Sequence, residues 1–227
     1  MQPGYLPWLG FFELMWKCDI FVIYDIVQFD KNGWRNRNRI KTPDGPQWLT
    51  VPVKTRNVPS KLLLDIEIDD SQRWARKHIT ALRENYARSP WAKEYLPHLI
   101  EVLERPWQKL LELDLTLIKL LAHLLGIRRK VVCASELNIK IDDRVERLIA
   151  IIKCLGGSHF YEPAGGKNYL GEAEVNRFNK DGIFLEFQNY KHPQYHQLHG
   201  AFVPNLSTAD LILNEGPKSL EILSNTT

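Results

Sequence analysis

The feature that most restricts the fold is a rhythm in the second half of the chain. Short β-favouring runs at 130–135, 159–162 and 183–187 alternate with helix-patterned segments at 142–155 and 169–180. Gly156, Gly157 and Gly182 sit where those two helices must stop. A β-α-β-α-β order predicts right-handed crossovers and a parallel sheet covered by helices. An earlier run, 20–24 between Asp19 and Asp25, is continuously apolar and short, as a strand buried inside a parallel sheet is. Joining it to the later strands gives a three-layer α/β fold: a mostly parallel sheet with helices on both faces.

The rest of the chain fits around that sheet. Residues 8–18 read as a helix, and 61–68 as extended. Segments 35–42 and 47–53 alternate in polarity around a Pro-Asp-Gly-Pro turn at 43–46, which predicts a hairpin. Asp70 or Ser71 is placed to cap a helix carrying Trp74, His78, Ile79, Leu82 and Tyr86 at helical spacing. Pro90, Pro97 and Pro106 punctuate the segments that follow, before a long apolar helix ending near Gly126. That helix is broken by Glu112, Asp114, Lys119 and His123, so it reads as an amphipathic core helix rather than a membrane span. The expected organisation is one domain over 1–227 with a mainly helical insertion at about 70–127.

Composition narrows the partners. A net charge of +3 is too small to advertise nucleic acid or a membrane surface, so any electrostatic function is local. The first ten residues are turn-like rather than leader-like. Cys18, Cys133 and Cys154 are scattered in apolar stretches, with neither disulfide nor zinc spacing. Buried thiols in a reducing, cytoplasmic setting are expected, with no metal and no cofactor.

Three polar segments follow directly after predicted strands: 25–39, 163–169 and 190–200. In open parallel sheets, ligands sit beyond the carboxyl ends of the strands. Asp25, Arg37, Lys167 and His192 are therefore expected to border one cleft. In the first segment Arg35, Arg37, Arg39 and Lys41 recur at period two, on one face of an extended strand, with Asn36 and Asn38 on the other. Two readings fit: a clamp for phosphate or carboxylate, or a solvated edge whose charges discourage aggregation. Asp25 is either a base or an ion-pair partner for that stripe. Lys167 follows two glycines, as an anion site at a helix start or a plain turn would have it. His192, His196 and His199 lack a neighbouring acid, and Pro193 disfavours helical spacing, which speaks against a metal. One of them as general base, or structural hydrogen bonding, remains. Trp8 with Phe11 and Phe12 reads either as a pocket wall or as core.

At this point the motifs resemble those of the WbqC-like family. QPGYLPWLGFF (2–12), DIFVIYDIVQF (19–29), WRNRNRIKTPDG (34–45) and WLTVPV (48–53) carry the resemblance in the first part. EPAGGKNYL (162–170), YKHPQYHQ (190–197), GAFVPNLS (200–207) and DLILNEG (210–216) carry it in the last. The resemblance implies work on nucleotide-linked sugars, since such proteins are encoded among genes for surface polysaccharides. It carries over Gln2, Tyr5, Asp25, Gln28, Lys31, Asn36, Arg37, Asn38, Tyr169, Tyr190, His192, Tyr195, Ser207, Asp210 and Asn214. It also implies an apolar strand ending in His ahead of the Gln-Pro pair, where Met1 stands in this sequence.

The expected activity is transfer, for instance of an acyl or aminoacyl group, to a nucleotide-linked amino sugar. Asp25 or His192 would be the base. Lys31, Arg35, Arg37 and Lys167 would hold phosphate, and Tyr5, Trp8 and Trp34 would stack on sugar or base. Gln2, Gln28, Asn36, Asn38, Tyr169, Tyr190 and Tyr195 complete the expected binding set. A non-catalytic module for a phosphorylated sugar needs the same clamp. A single-strand nucleic-acid binder using Trp34 and Trp48 is disfavoured by the near-neutral charge.

Overall fold

The computed structural model describes residues 1–31, 33–54 and 61–225. Strand β1 (Ile20–Ile23) pairs in parallel with β4 (Lys130–Cys133), in the register Ile20 to Lys130 through Ile23 to Cys133. Strands β2 (Arg37–Thr42) and β3 (Gly45–Thr50) form the hairpin, with Thr42 opposite Gly45 across a two-residue turn. Strands β5 (His159–Glu162) and β6 (Phe184–Phe187) are again parallel.

Mixed helix and strand content agrees with the α/β reading. The single sheet does not: among the described residues the strands form three separate two-stranded sheets. Residues 61–68 are also less regular than expected, with a 3-10 turn at Leu63–Asp65 and isolated bridges from Leu62 and Ile68.

The helices fall into two groups around two cores. Helix α1 (Leu9–Lys17) packs its aromatic side into the larger core. The helical middle contributes α2 (Trp74–Tyr86), α3 (Ala92–Glu104) and α4 (Leu110–Leu124). Helix α3 runs through Pro97, where the sequence pattern predicts a break. The cost of its missing N–H is offset by the burial of Leu96, Leu99, Val102 and Leu103 on one face. Gly126 ends α4 with φ +78°, the left-handed turn that glycine adopts without strain. No helix among the described residues is long and apolar enough to cross a membrane.

Helices α5 (Arg144–Cys154) and α6 (Glu172–Lys180) belong to the smaller core, which holds Val145, Ile149, Leu170, Phe178, Ile183 and Leu185. Two further helices, α7 (Thr208–Glu215) and α8 (Ser219–Ser224), return to the larger one. Ser207 caps α7 by accepting the Ala209 N–H, and every residue from Thr208 to Asn214 is buried. Its buried carboxylate, Asp210, accepts hydrogen bonds from Tyr86 and Tyr195 hydroxyls at 2.7 and 2.9 Å.

Candidate functional site

The period-two stripe divides into members with different environments. Lys41 is buried, and its ammonium donates to the carbonyls of Gly200 and Ala201 at 3.3 and 2.6 Å. It anchors the 200-loop to the hairpin rather than facing a ligand, which corrects the four-charge face. Arg35 lies just ahead of β2 and donates to the Pro3 carbonyl at 3.1 Å. Burial pushes its guanidinium below the usual range, although Asp114 and Asp30 pull the other way.

Arg37 and Arg39 are half-buried, and the Arg39 guanidinium donates to the Asn205 carbonyl at 3.3 Å. The Arg37 guanidinium lies 4.5 Å from the Trp48 ring, and that of Arg39 lies 5.6 Å from Trp48 and 5.8 Å from Trp34. The two indoles meet at 5.1 Å, tilted by 42°. Cation–π contact explains how like charges share one strand face, because each guanidinium rests on an electron-rich ring. Trp34 and Trp48 stay 47% and 42% exposed, so this platform still offers apolar ring surface beside two cations.

Asn36 and Asn38 point the opposite way, as alternation demands, and are buried. The Asn36 amide donates to Val51 O at 2.7 Å, and that of Asn38 to Leu6 O at 2.6 Å. They fix the hairpin against its neighbours. The N-terminal loop closes on the same strand: Tyr5 N–H donates to Arg35 O at 3.0 Å. A Cβ at Gly4 would lie 2.6 Å from the Trp34 carbonyl oxygen, so this approach requires glycine. Tyr5 itself is fully buried, with its hydroxyl 2.8 Å from His78 Nδ1. Gln28 and Lys31 are exposed on the loop before the hairpin.

A groove of about 910 Å³ opens between β1 and β5. Gln2, Arg35, Arg144 and Glu162 contribute to its polar lining, together with Lys17, Asp19, His159 and Glu186. Burial raises the Glu162 carboxyl above its usual range, and the Tyr169 hydroxyl donates to it. Arg144 stacks 3.4 Å from the Tyr169 ring centroid. Lys167 is exposed in a 3-10 turn, 5.7 Å from the Phe187 ring. Helix α6 starts later than expected, and its first turn carries Glu172 and Glu174, the latter accepting the Gly171 N–H at 3.0 Å. The protein's own carboxylate therefore occupies the helix start that Lys167 was expected to share with an anion.

Asp25 is buried, and both its oxygens bind Ser135: the backbone N–H at 3.0 Å and the hydroxyl at 2.5 Å. It ties the end of β1 to the turn after β4. Asp25, Arg37, Lys167 and His192 do not line the groove, whereas Gln2 and Arg35 do. The expected gathering of those four in this cleft is thus corrected.

His192 sits in an aromatic nest instead. Its ring lies 6.3 Å from Tyr195, nearly parallel, and 5.7 Å from Phe202. Tyr190 bridges His192 to Trp8, whose ring it meets edge-on at 5.5 Å. Nδ1 of His192 is 2.8 Å from the Pro193 carbonyl, which can only accept, so Nδ1 carries the proton. Nε2 is then a bare lone pair, buried and without a hydrogen-bond partner among the described residues, and the Tyr190 hydroxyl likewise has none among them. Burial lowers the His192 pKa, keeping the ring neutral near pH 7. The other two histidines are engaged elsewhere: His196 through its backbone with Glu215, His199 with the Asn85 carbonyl.

The platform and the nest are linked through one strand edge. Ser207 N–H donates to Arg39 O, and Thr208 N–H to Pro7 O, both at 2.9 Å. Sequence patterns alone miss Arg144 and Glu162 as groove residues, and suggest Trp48 only as part of a nucleic-acid surface. The period-two register was the available signal for Trp48, since it stands opposite Arg39.

A family model described as the WbqC-like protein family matches residues 2–222. A Mycobacterium tuberculosis (strain ATCC 25618 / H37Rv) protein described as "Uncharacterized protein Rv1507c" is 30% identical over 224 residues, spanning 98% of this chain and 95% of the relative. No solved structure matches significantly.

Proposed function

The chain belongs to the WbqC-like protein family, and on that premise we propose that it is a transferase acting on a nucleotide-linked amino sugar in surface-polysaccharide biosynthesis. The observation that carries this reading is the platform of half-buried Arg37 and Arg39 laid on exposed Trp34 and Trp48. A nucleotide-linked sugar presents what such a surface recognises: a diphosphate for guanidinium donors and flat rings for indole stacking. Arg35 and Lys31 add charge at its margin. In this reading the sugar amine attacks the carbonyl carbon of an activated acyl or aminoacyl donor, such as a thioester. The bond from that carbon to the donor's leaving group breaks as His192 Nε2 takes the amine proton and passes it to the departing group. Tyr190, whose hydroxyl has no partner among the described residues, orients that amine. Asn36 and Asn38 position the strand rather than touch ligand. The reading places the protein in the cytoplasm as one domain over 1–227, in keeping with its three unpaired thiols.

A second reading rests on Asp25, whose oxygens are both engaged by Ser135. With one of the two expected bases held in the framework, a module that binds the sugar nucleotide without chemistry uses the same platform. Calorimetry with an amino-sugar nucleotide tests what both share. Arg37→Ala with Arg39→Ala should weaken binding by roughly 10- to 100-fold while thermal unfolding barely moves. Unchanged affinity overturns both readings. His192→Gln then separates them: lost turnover at retained affinity supports the transferase, and no turnover by the wild type with any acyl donor supports the module.

A further inference from the structure

Helix α2 opens with charges of the wrong sign. The first turn of a helix favours acidic side chains, because aligned peptide dipoles leave its N-terminus positive. The first turn of α2 holds no acid. Its N-cap is Arg73, in the left-handed region at φ +49°, and no side chain caps the first N–H groups. Arg76 follows within the first turn. Arg76, Thr80 and Arg83 then share one helix face, at positions i, i+4 and i+7.

A pocket of about 620 Å³ lies along that face. Its other wall is the end of α3 and the turn after it, from Leu103 to Trp107. The lining carries four arginines, Arg73, Arg76, Arg83 and Arg105, against two carboxylates, Asp70 and Glu104. Arg105 is paired with Glu101 at 2.5 Å. The other three are exposed, and among the described residues they make no side-chain hydrogen bond or ion pair. Trp74 also lines the pocket; it is only 3% exposed, and its buried Nε1–H has no acceptor among the described residues. An indole N–H removed from water usually finds one.

A solvated basic face does not account for this set. Acids one turn away offset arginines on such faces. Helix α2 has a single acid, Glu84, and it adjoins Arg83 instead of standing a turn from it. An anion at the start of α2 answers the dipole, the uncapped N–H groups and the surplus of guanidinium charge together. Four arginines against two carboxylates match a dianion, the form a phosphate monoester approaches at pH 7. Leu103, Pro106 and half-buried Trp107 offer apolar surface beside it. We infer that this pocket binds a phosphate monoester, with its phosphate on Arg73, Arg76 and Arg83 and its organic part against Leu103, Pro106 and Trp107. The pocket shares no residue with the Trp34–Trp48 platform, and the inference does not rest on the transfer reaction proposed above.

Phenyl phosphate is the probe, titrated into the 227-residue chain at moderate salt while backbone amide signals are followed by NMR. Signals of Trp74, Ala75 and Arg76 should shift and saturate. Arg76→Ala with Arg83→Ala should weaken that binding by about tenfold or more. Lys77→Ala with Arg88→Ala removes the same charge from exposed positions outside the pocket, and should change affinity by less than about twofold. Shifts that grow without saturating overturn the inference, as does equal weakening by the two double variants, since either marks diffuse attraction. Undiminished saturation at Trp74 to Arg76 in Arg76→Ala with Arg83→Ala overturns it too. Arg37→Ala with Arg39→Ala should leave the α2 titration unchanged, so failure of this site and failure of the platform are read separately.

Discussion

The two cores of this protein are stabilised by different means. The larger gathers side chains from both ends of the chain and from the helical middle, among them Tyr5, Phe12, Tyr86, Leu117 and Leu213, all fully buried. The smaller, between β5–β6 and helices α5 and α6, has one fully buried aromatic, Phe178, within a short apolar set. Small cores bury too little apolar surface to be secure alone. The lobe leans on polar joints to the main body, and two of them meet at one buried carboxylate. Glu13 of α1 accepts from the Tyr161 hydroxyl at 3.1 Å and the Gln188 amide at 2.6 Å, and pairs with Lys17 at 2.7 Å. Apolar burial holds the body, and directional bonds hold the lobe to it.

The sharpest way to break this contrast is to empty the small core. Phe178→Ala should cost about 3–5 kcal/mol, more than so small a set can absorb. Amide exchange across residues 159–187 should become fast while the main body keeps a cooperative transition. Leu117→Ala, in the large core, should instead destabilise the whole molecule by about 2–5 kcal/mol. If Phe178→Ala and Leu117→Ala shift one common transition, the two cores are a single cooperative unit and the contrast fails.

Acid should act on the body first. His78 of α2 is held down to about 4, chiefly because its buried ring resists charging. The unfolded chain takes up that proton near pH 6.5, so unfolding gains protons between pH 6.5 and 4. His78 thus contributes stability above pH 6.5 that is lost as pH falls toward 4, amounting to up to about 3 kcal/mol. Asp114, buried and raised well above its usual range, slopes the other way. The difference between wild type and His78→Gln isolates the histidine: the variant should lack that part of the slope. An identical pH profile for both would mean that His78 does not carry the acid response of the larger core.

The joint comes next in size. Glu13→Ala leaves Gln188 and Tyr161 short of an acceptor and should cost about 2 kcal/mol. A double-mutant cycle with Tyr161→Phe should give a coupling of about 1 kcal/mol, since the two side chains share one hydrogen bond. Strict additivity would show that the lobe is attached by its apolar contacts after all.

These contrasts also explain what the sequence could and could not reveal. The strands, the hairpin with its turn and the ends of α4 and α5 follow from local patterns, because period and turn chemistry are written within a few residues. Strand partnership is not local: β1 and β4 are distant in sequence. Period two placed Lys41 on the arginine face but carried no information about the 200-loop that buries it. The tie from Asp25 to Ser135 spans 110 residues and leaves no pattern. Helix α7 is buried on all sides, so it lacks the amphipathic period that reveals a helix, although Ser207 and Asp210 stand at cap spacing. Of the candidate site, the arginine–indole register was legible. The His192 nest was legible only as a cluster of side chains, because its tautomer depends on the Pro193 carbonyl geometry.

The smallest expected effect lies beside the largest. Arg177 is the neighbour of Phe178 on α6, and it bonds across the lobe to Asp143 and Glu146 of α5 at 2.7 and 2.6 Å. On geometry alone these paired contacts look like the clasp that closes the lobe. They lie at the surface, where water competes for each charge and ordering two long side chains costs entropy, so such pairs contribute little. Asp143 also acts within its own helix, where its carboxylate caps α5 by accepting the Glu146 N–H at 2.8 Å. Arg177→Ala should therefore melt close to wild type, with any difference vanishing at about 0.5 M salt. Asp143→Ala should shift melting more, and keep that shift in salt, because a cap bond is short-ranged. If Arg177→Ala instead opened residues 159–187 to exchange as Phe178→Ala does, surface charge rather than apolar burial would be what holds the lobe's own elements together.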